Sequence, residues 1–213
     1  MYIINDTYFQ APKREIPNLD EADSKSFAEL ELLIDEKCRL LLLDFLTSEQ
    51  VTELESYLVN GILPTPPTGV PQKWIDLVNG KSYTKNGVEL RWTGLIYTKG
   101  TYKGSLLADY VYSFWLESQV SYMTGVGDAK GQPKGAVLVN PTQRYVHTWN
   151  EFVKAYQSNR DGYCDWMGGY LFYRYRSEWK TNEVSLIQFL SDNEEVYPND
   201  NRKFFEVKNQ LGL

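Results

Sequence analysis

The stretch Lys81-Ser82-Tyr83-Thr84-Lys85-Asn86-Gly87-Val88-Glu89-Leu90-Arg91-Trp92 reads as a β-hairpin. Asn86-Gly87 fits a two-residue type I′ turn, which needs φ > 0 at both central positions. Counting outward from it pairs Lys85 with Val88, Thr84 with Glu89, Tyr83 with Leu90, Ser82 with Arg91 and Lys81 with Trp92. Alternate pairs share a face. Tyr83, Val88, Leu90 and Trp92 therefore line one side, and Ser82, Thr84, Glu89 and Arg91 the other. A lone hairpin is marginal in water, so the apolar side needs support. Either the chain's own core or a neighbouring molecule can supply it.

Around this hairpin the pattern is mostly helical, with no second set of strands comparable to it. Residues 24–46 place Phe27, Leu30, Ile34, Cys38, Leu41 and Phe45 on one stripe. Leu33, Leu40, Leu42, Leu43 and Leu46 widen that stripe, which predicts a C-terminal half buried all round. Thr47 or Ser48 caps a second helix, and Asn60-Gly61 ends it. Four prolines between Leu63 and Pro71 make a stiff connection, and Gln72–Asn79 is a short helix stopped by Gly80. Residues 94–104 read as irregular chain. A broad apolar face predicts a helix over 105–122, followed by a glycine-rich loop over 124–135. Asn140 and Pro141 open a helix with Tyr145, Val146, Trp149, Phe152, Val153 and Tyr156 inward. Glu183–Leu190 is a short helix. Residues 1–23 and 194–213 read as extended arms, because Pro12, Pro17 and Pro198 oppose helix and strand-type residues open the chain. The N-terminal arm can lie on its own domain or on a neighbour.

The expected fold class is thus mainly α: a bundle-like body over 24–193, one β-hairpin insertion at about 81–92, and two terminal arms. The chain has 213 residues, 42% hydrophobic and 23% charged, as ordinary globular proteins do. Aromatic residues are the outlier at 15%, with 16 Tyr, 9 Phe and 6 Trp. Such side chains suit cores and protein–protein contacts alike. The formal charge of −6 opposes nucleic-acid clamping through the overall field. The N-terminus lacks the basic and apolar regions of a signal peptide, and the longest apolar run, Leu40–Leu43, is far too short to span a bilayer. These features predict a protein made in a cytoplasm, without membrane association.

Residues that carry chemistry are sparse. Cys38 and Cys164 have no metal-ligand spacing, and His147 is the single histidine, read as structural at the edge of a buried stripe. Gly125-Val126-Gly127 lacks the strand and third glycine of a dinucleotide fingerprint. Asp161 and Asp165, and Asp192, Glu194 and Glu195, read as solvated loop charges rather than a paired-carboxylate site. No catalytic, cofactor or metal residue is assigned. Tyr173-Arg174-Tyr175-Arg176 interleaves aromatics with arginine, a composition of protein interfaces and of base-stacking surfaces. With the tip Lys85, Asn86 and Gly87, this run forms the predicted partner-facing set.

Several fragments, taken in order, carry a resemblance. They are Pro71-Gln72-Lys73-Trp74-Ile75-Asp76-Leu77-Val78-Asn79-Gly80, Trp92-Thr93-Gly94-Leu95, Leu106-Leu107-Ala108-Asp109-Tyr110-Val111-Tyr112 and Thr124-Gly125-Val126. Val146-His147-Thr148-Trp149-Asn150 and the closing Lys208-Asn209-Gln210-Leu211-Gly212-Leu213 complete the set. The chain resembles the neck or head–tail connector proteins of tailed bacteriophages, especially those of crAss-like phages, from about residue 25 to the end. Its motifs are structural, and their order carries the weight. The resemblance implies a virion structural protein, not an enzyme: a helical subunit of a homo-oligomeric ring, commonly a dodecamer. Such a ring lies beneath the portal protein, contacts other neck or tail proteins, and extends the DNA channel without reading sequence. Two other readings stay open from the residues themselves. One is an aromatic-rich module binding carbohydrate or peptide, and the other a carboxylate-based hydrolase.

Overall fold

In the computed structural model the described residues are 2–10, 13–17, 19, 25–119, 122–124, 127–129, 142–157 and 182–198. They form a mixed architecture of α-helices with two-stranded antiparallel hairpins. The helices are α1 (Lys25–Leu43), α2 (Ser48–Ser56), α3 (Gln72–Asn79), α4 (Leu106–Ser118), α5 (Thr142–Gln157) and α6 (Leu186–Asp192). The strands are β1 (Lys81–Lys85), β2 (Val88–Trp92), β3 (Ile96–Lys99), β4 (Tyr102–Ser105), β5 (Tyr122–Thr124) and β6 (Gly127–Ala129).

Helix α4 is central. It is apolar nearly all round, begins where the Ser105 hydroxyl accepts from the Ala108 N–H, and is buried along most of its length. Helices α1 and α5 pack on it. Tyr110 of α4 meets Phe152 of α5 at 4.9 Å between ring centroids, and Phe114 of its own helix edge-on at 4.9 Å. Aromatic pairs favour such tilted and edge-on geometries, so much of the aromatic excess is spent inside the body. Within α5, Phe152, Val153 and Tyr156 are buried, as the inward stripe requires. Thr47 caps α2 in a full capping box with Gln50.

The hairpin β1–β2 has the register read from its turn, from Lys81 opposite Trp92 to Lys85 opposite Val88. Asn86 and Gly87 take φ of 51° and 76°. Two further hairpins, β3–β4 and β5–β6, correct the expectation of a single one. Strands β3 and β4 occupy a segment read as irregular because Gly100 and Gly104 look like loop residues. Tyr97 stands opposite Gly104 and lays its ring where a Cβ would be, so an aromatic neighbour covers the glycine's bare backbone. Asn60-Gly61 does not end α2, which stops at Ser56. Its residues have φ of 52° and 77° and turn the chain so that Val59 and Ile62 exchange two backbone hydrogen bonds. The last helix starts later than expected, at Leu186 behind a Ser185 cap, and Glu183 bridges in parallel to Arg91 instead.

Where they are described, both expected arms pack on the body. Of the two placements open to the N-terminal arm, its described residues take the first: Asp6–Phe9 is a 3₁₀ turn, and Ile3, Ile4, Phe9, Ile16 and Leu19 are buried in the chain's own core. The C-terminal segment turns back after α6, and Tyr197 is buried beside Trp74 and Phe189. Its hydroxyl donates to the Lys73 carbonyl. Helix α1 also differs from its reading. Leu41 and Leu42 are buried, whereas Leu40 and Leu43 face solvent.

Candidate functional site

The partner-facing set predicted around the hairpin tip can be built from the fold. Strand β2 is fixed along its outer edge: the Arg91 N–H donates to the Asn182 carbonyl at 2.8 Å, and the Val184 N–H to the Arg91 carbonyl at 2.9 Å. Its inner face rests on α6. Trp92 stacks on Phe189 at 5.7 Å, and Tyr83 meets the same ring edge-on at 5.9 Å. The base is held by the approach of two glycine-bearing segments. Gly94, at φ 98°, brings its Cα so close to the end of α3 that a Cβ would lie 2.6 Å from the Asn79 carbonyl carbon. The Trp92 indole N–H donates to the Leu77 carbonyl at 2.9 Å.

Asp192 anchors the tip. Its side chain is only 3% exposed and accepts from the Tyr83 hydroxyl at 2.7 Å, the Lys85 ammonium at 2.6 Å and the Gln188 amide at 2.8 Å. Three donors from two elements converge on one carboxylate, which fastens the distal half of the hairpin to α6. Asp192 is therefore not the solvated loop charge expected, whereas Glu194 and Glu195 are exposed. The signal for this anchor lay in Tyr83 and Lys85. Two residues apart on a strand, they share a face, and both bring a polar end that needs an acceptor. Beyond the anchor, Asn86 and Gly87 are exposed, and no heavy atom lies within 4 Å of the position of a Gly87 Cβ. A cleft of about 270 Å³ separates tip from helix, lined by Lys85, Asn86, Val88, Leu90, Gln188 and Asp192. Its lining is mixed, with Val88 and Leu90 beside two amides and the Lys85–Asp192 ion pair.

A second polar cluster, unforeseen in the sequence, ties the N-terminal segment to α4. Arg14 is fully buried and donates to Asp109 at 2.7 Å, to the Lys103 carbonyl at 2.7 Å and to the Tyr8 carbonyl at 3.2 Å. Its guanidinium also lies over the Tyr102 ring at 5.5 Å, and Lys13 stands 3.6 Å from Asp109. Burial alone would lower the pKa of Arg14, but the Asp109 carboxylate, by charge and hydrogen bond, outweighs it and the net direction is upward. The partners stand 95 positions apart, which left no local pattern to read. A neighbouring cavity of about 60 Å³, bounded by Trp92, Tyr97, Ser105, Asp109 and Glu183, has room for no more than a few waters.

His147 is exposed on α5 rather than at the edge of a buried stripe. Cys38 is buried on α1, and burial pushes its thiol pKa up, away from thiolate reactivity. Among the described residues no group of three or more His, Cys, Asp and Glu gathers as metal ligands would, and no helix is long and apolar enough to cross a membrane. Tyr173, Arg174, Tyr175 and Arg176, together with Asp161, Cys164 and Asp165, lie outside the described residues. No protein-family model, curated protein or solved structure matches the chain.

Proposed function

We propose that this chain is a structural subunit of a phage neck, one copy of a ring that joins the portal to the tail and extends the DNA channel. The observation that carries the reading is the order of its sequence fragments, from Pro71–Gly80 through Trp92–Leu95 and Val146–Asn150 to Lys208–Leu213, which resembles that of neck connector proteins. The geometry supports it at the hairpin. A tip fastened through Tyr83, Lys85 and Asp192 meets a partner without first being ordered, which removes part of the entropic cost of assembly. A ring is a head-to-tail contact that closes on itself, so it uses two unlike faces of each subunit. Val59, Val88, Tyr97 and Val196 stand exposed and are available to such faces. The formal charge of −6 suits a channel along which DNA slides, since a basic wall would hold phosphates.

The test is negative-stain microscopy of the protein co-expressed with its portal, alongside an inventory of purified virions. Closed rings on the portal are the expected result, and charge-mapping a structure of the ring should show acidic side chains outnumbering basic ones on the channel wall. A mainly basic wall would refute the sliding-channel reading. A polypeptide that turns over a substrate and is absent from the particle's collar would overturn the assignment as a whole.

A further inference from the structure

Helix α1 carries an exposed face on which leucines are interspersed with charged residues. Leu32, Leu40 and Leu43 are 72%, 46% and 36% exposed, and Asp35, Glu36 and Arg39 between them are also exposed. At 100° per residue, Leu32, Glu36, Arg39 and Leu43 fall within a sector of about 60°, with Leu40 flanking it. The order along this sector is Leu, Glu, Arg, Leu, with spacings of four, three and four residues. About its midpoint it is symmetric in the leucines and opposite in the charges. When two such helices lie antiparallel about a two-fold axis between Lys37 and Cys38, Leu32 falls opposite Leu43 of the other copy. Glu36 falls opposite Arg39 of the other copy at the same time. Both contacts occur twice, as an isologous interface demands.

We propose that the exposed face of α1 pairs two copies of this chain, antiparallel, through Leu32, Glu36, Arg39 and Leu43. The occupant is a second copy because charge complementarity selects it: one helix supplies both the acid and the base, at positions that only self-pairing in this register brings together. The intramolecular partners of these charges are compatible with that role. Arg39 donates its Nε–H to Glu55 at 2.9 Å, which steadies the side chain while the guanidinium has further donors, and among the described residues Glu36 pairs with the neighbouring Lys37, at 2.8 Å on the surface. One helix face is a small interface, at or below the low end of the stable range, so the dimer forms in the micromolar regime. The pairing goes beyond the ring reading, because ring closure is head-to-tail and uses other faces.

Sedimentation velocity of the full chain, from low to roughly 100 µM, tests it at the concentrations such an interface needs. Wild type is expected to dimerise. Glu36→Arg alone and Arg39→Glu alone set like charges opposite each other twice and weaken the dimer roughly tenfold or more. The double variant, Glu36→Arg with Arg39→Glu, restores opposite charges and recovers it. Because Arg39→Glu also faces Glu55, a second swap that leaves Arg39 intact runs in parallel. Leu32→Glu and Leu43→Lys each weaken the dimer, and their combination regains association. Circular dichroism and thermal melts verify folding of each variant. A wild type monomeric throughout, a dimer indifferent to Glu36→Arg and Leu32→Glu, or double variants that fail to recover would each overturn the pairing. None of these outcomes alters whether rings form on the portal, so the two readings fail separately.

Discussion

Arg14 holds a full charge at a point that solvent does not reach. Its burial is sustainable because every side of the guanidinium plane meets something: Asp109, two backbone carbonyls and the Tyr102 ring. Such a pair adds little net stability over a well-packed apolar substitute, yet removing one member strands the other. Arg14→Met keeps much of the stem's volume but leaves the Asp109 carboxylate and the carbonyls of Tyr8 and Lys103 without their donor. Lys13, 3.6 Å from Asp109, offsets part of that loss. The expected cost is about 3 kcal/mol in urea denaturation, the lower end for a broken buried pair. A loss below about 1 kcal/mol would mean that Lys13 and water replace the guanidinium. In that case Arg14 is not what holds the described N-terminal residues to the body.

At the scale of elements, glycines separate two kinds of constraint. Gly87 sits at the open tip with φ of 76°, so an alanine there meets only the left-handed backbone penalty, about 1 kcal/mol. Gly94 has φ of 98°, and its missing Cβ would fall 2.6 Å from the backbone of Asn79 and Val78. Backbone cannot move aside as the end of a side chain can. Gly94→Ala is therefore expected to cost more than about 3 kcal/mol, combining backbone strain with displacement of β2 from α3. Thermal melts of the two variants check this, and equal losses would show that the α3–β2 junction yields. The contrast also explains what was legible. Asn86-Gly87 fixes a turn, the turn fixes the register, and so every pair of β1–β2 could be read from the residues. The Gly80–Gly94 approach, the Asp192 anchor 107 residues from Lys85, and the cover that Tyr97 gives Gly104 are tertiary juxtapositions with no period along the chain. A segment containing Gly100 and Gly104 reads as loop until the ring that replaces a missing side chain is known.

Among the described residues, most of the aromatic side chains serve one core that reaches both described ends of the chain, from Ile3 and Ile4 to Tyr197. Proline spacing suggested arms because proline excludes helix. It does not exclude burial, and Ile16 beside Pro17 is buried. A core edged with tyrosine has a consequence in alkali. Burial raises the pKa of Tyr2, Tyr8, Tyr112, Tyr145 and Tyr197, with Glu55 adding to the effect at Tyr2 and Asp76 at Tyr197. A phenol raised in the folded state stays neutral there while its unfolded counterpart ionises near pH 10. The unfolded chain then binds fewer protons than the folded one, so stability falls as pH rises. The contribution is complete below about pH 10 and is lost above it as pH climbs toward the folded values. The buried Cys38 thiol acts in the same direction. Urea midpoints should therefore decline from about pH 9 to pH 11, and the part of the tyrosinate absorbance that belongs to these five phenols should develop in the same transition as the loss of helical dichroism. Ionisation of these phenols near their ordinary value while the helical signal persists would show that they are solvated, and that the tyrosines do not close the core.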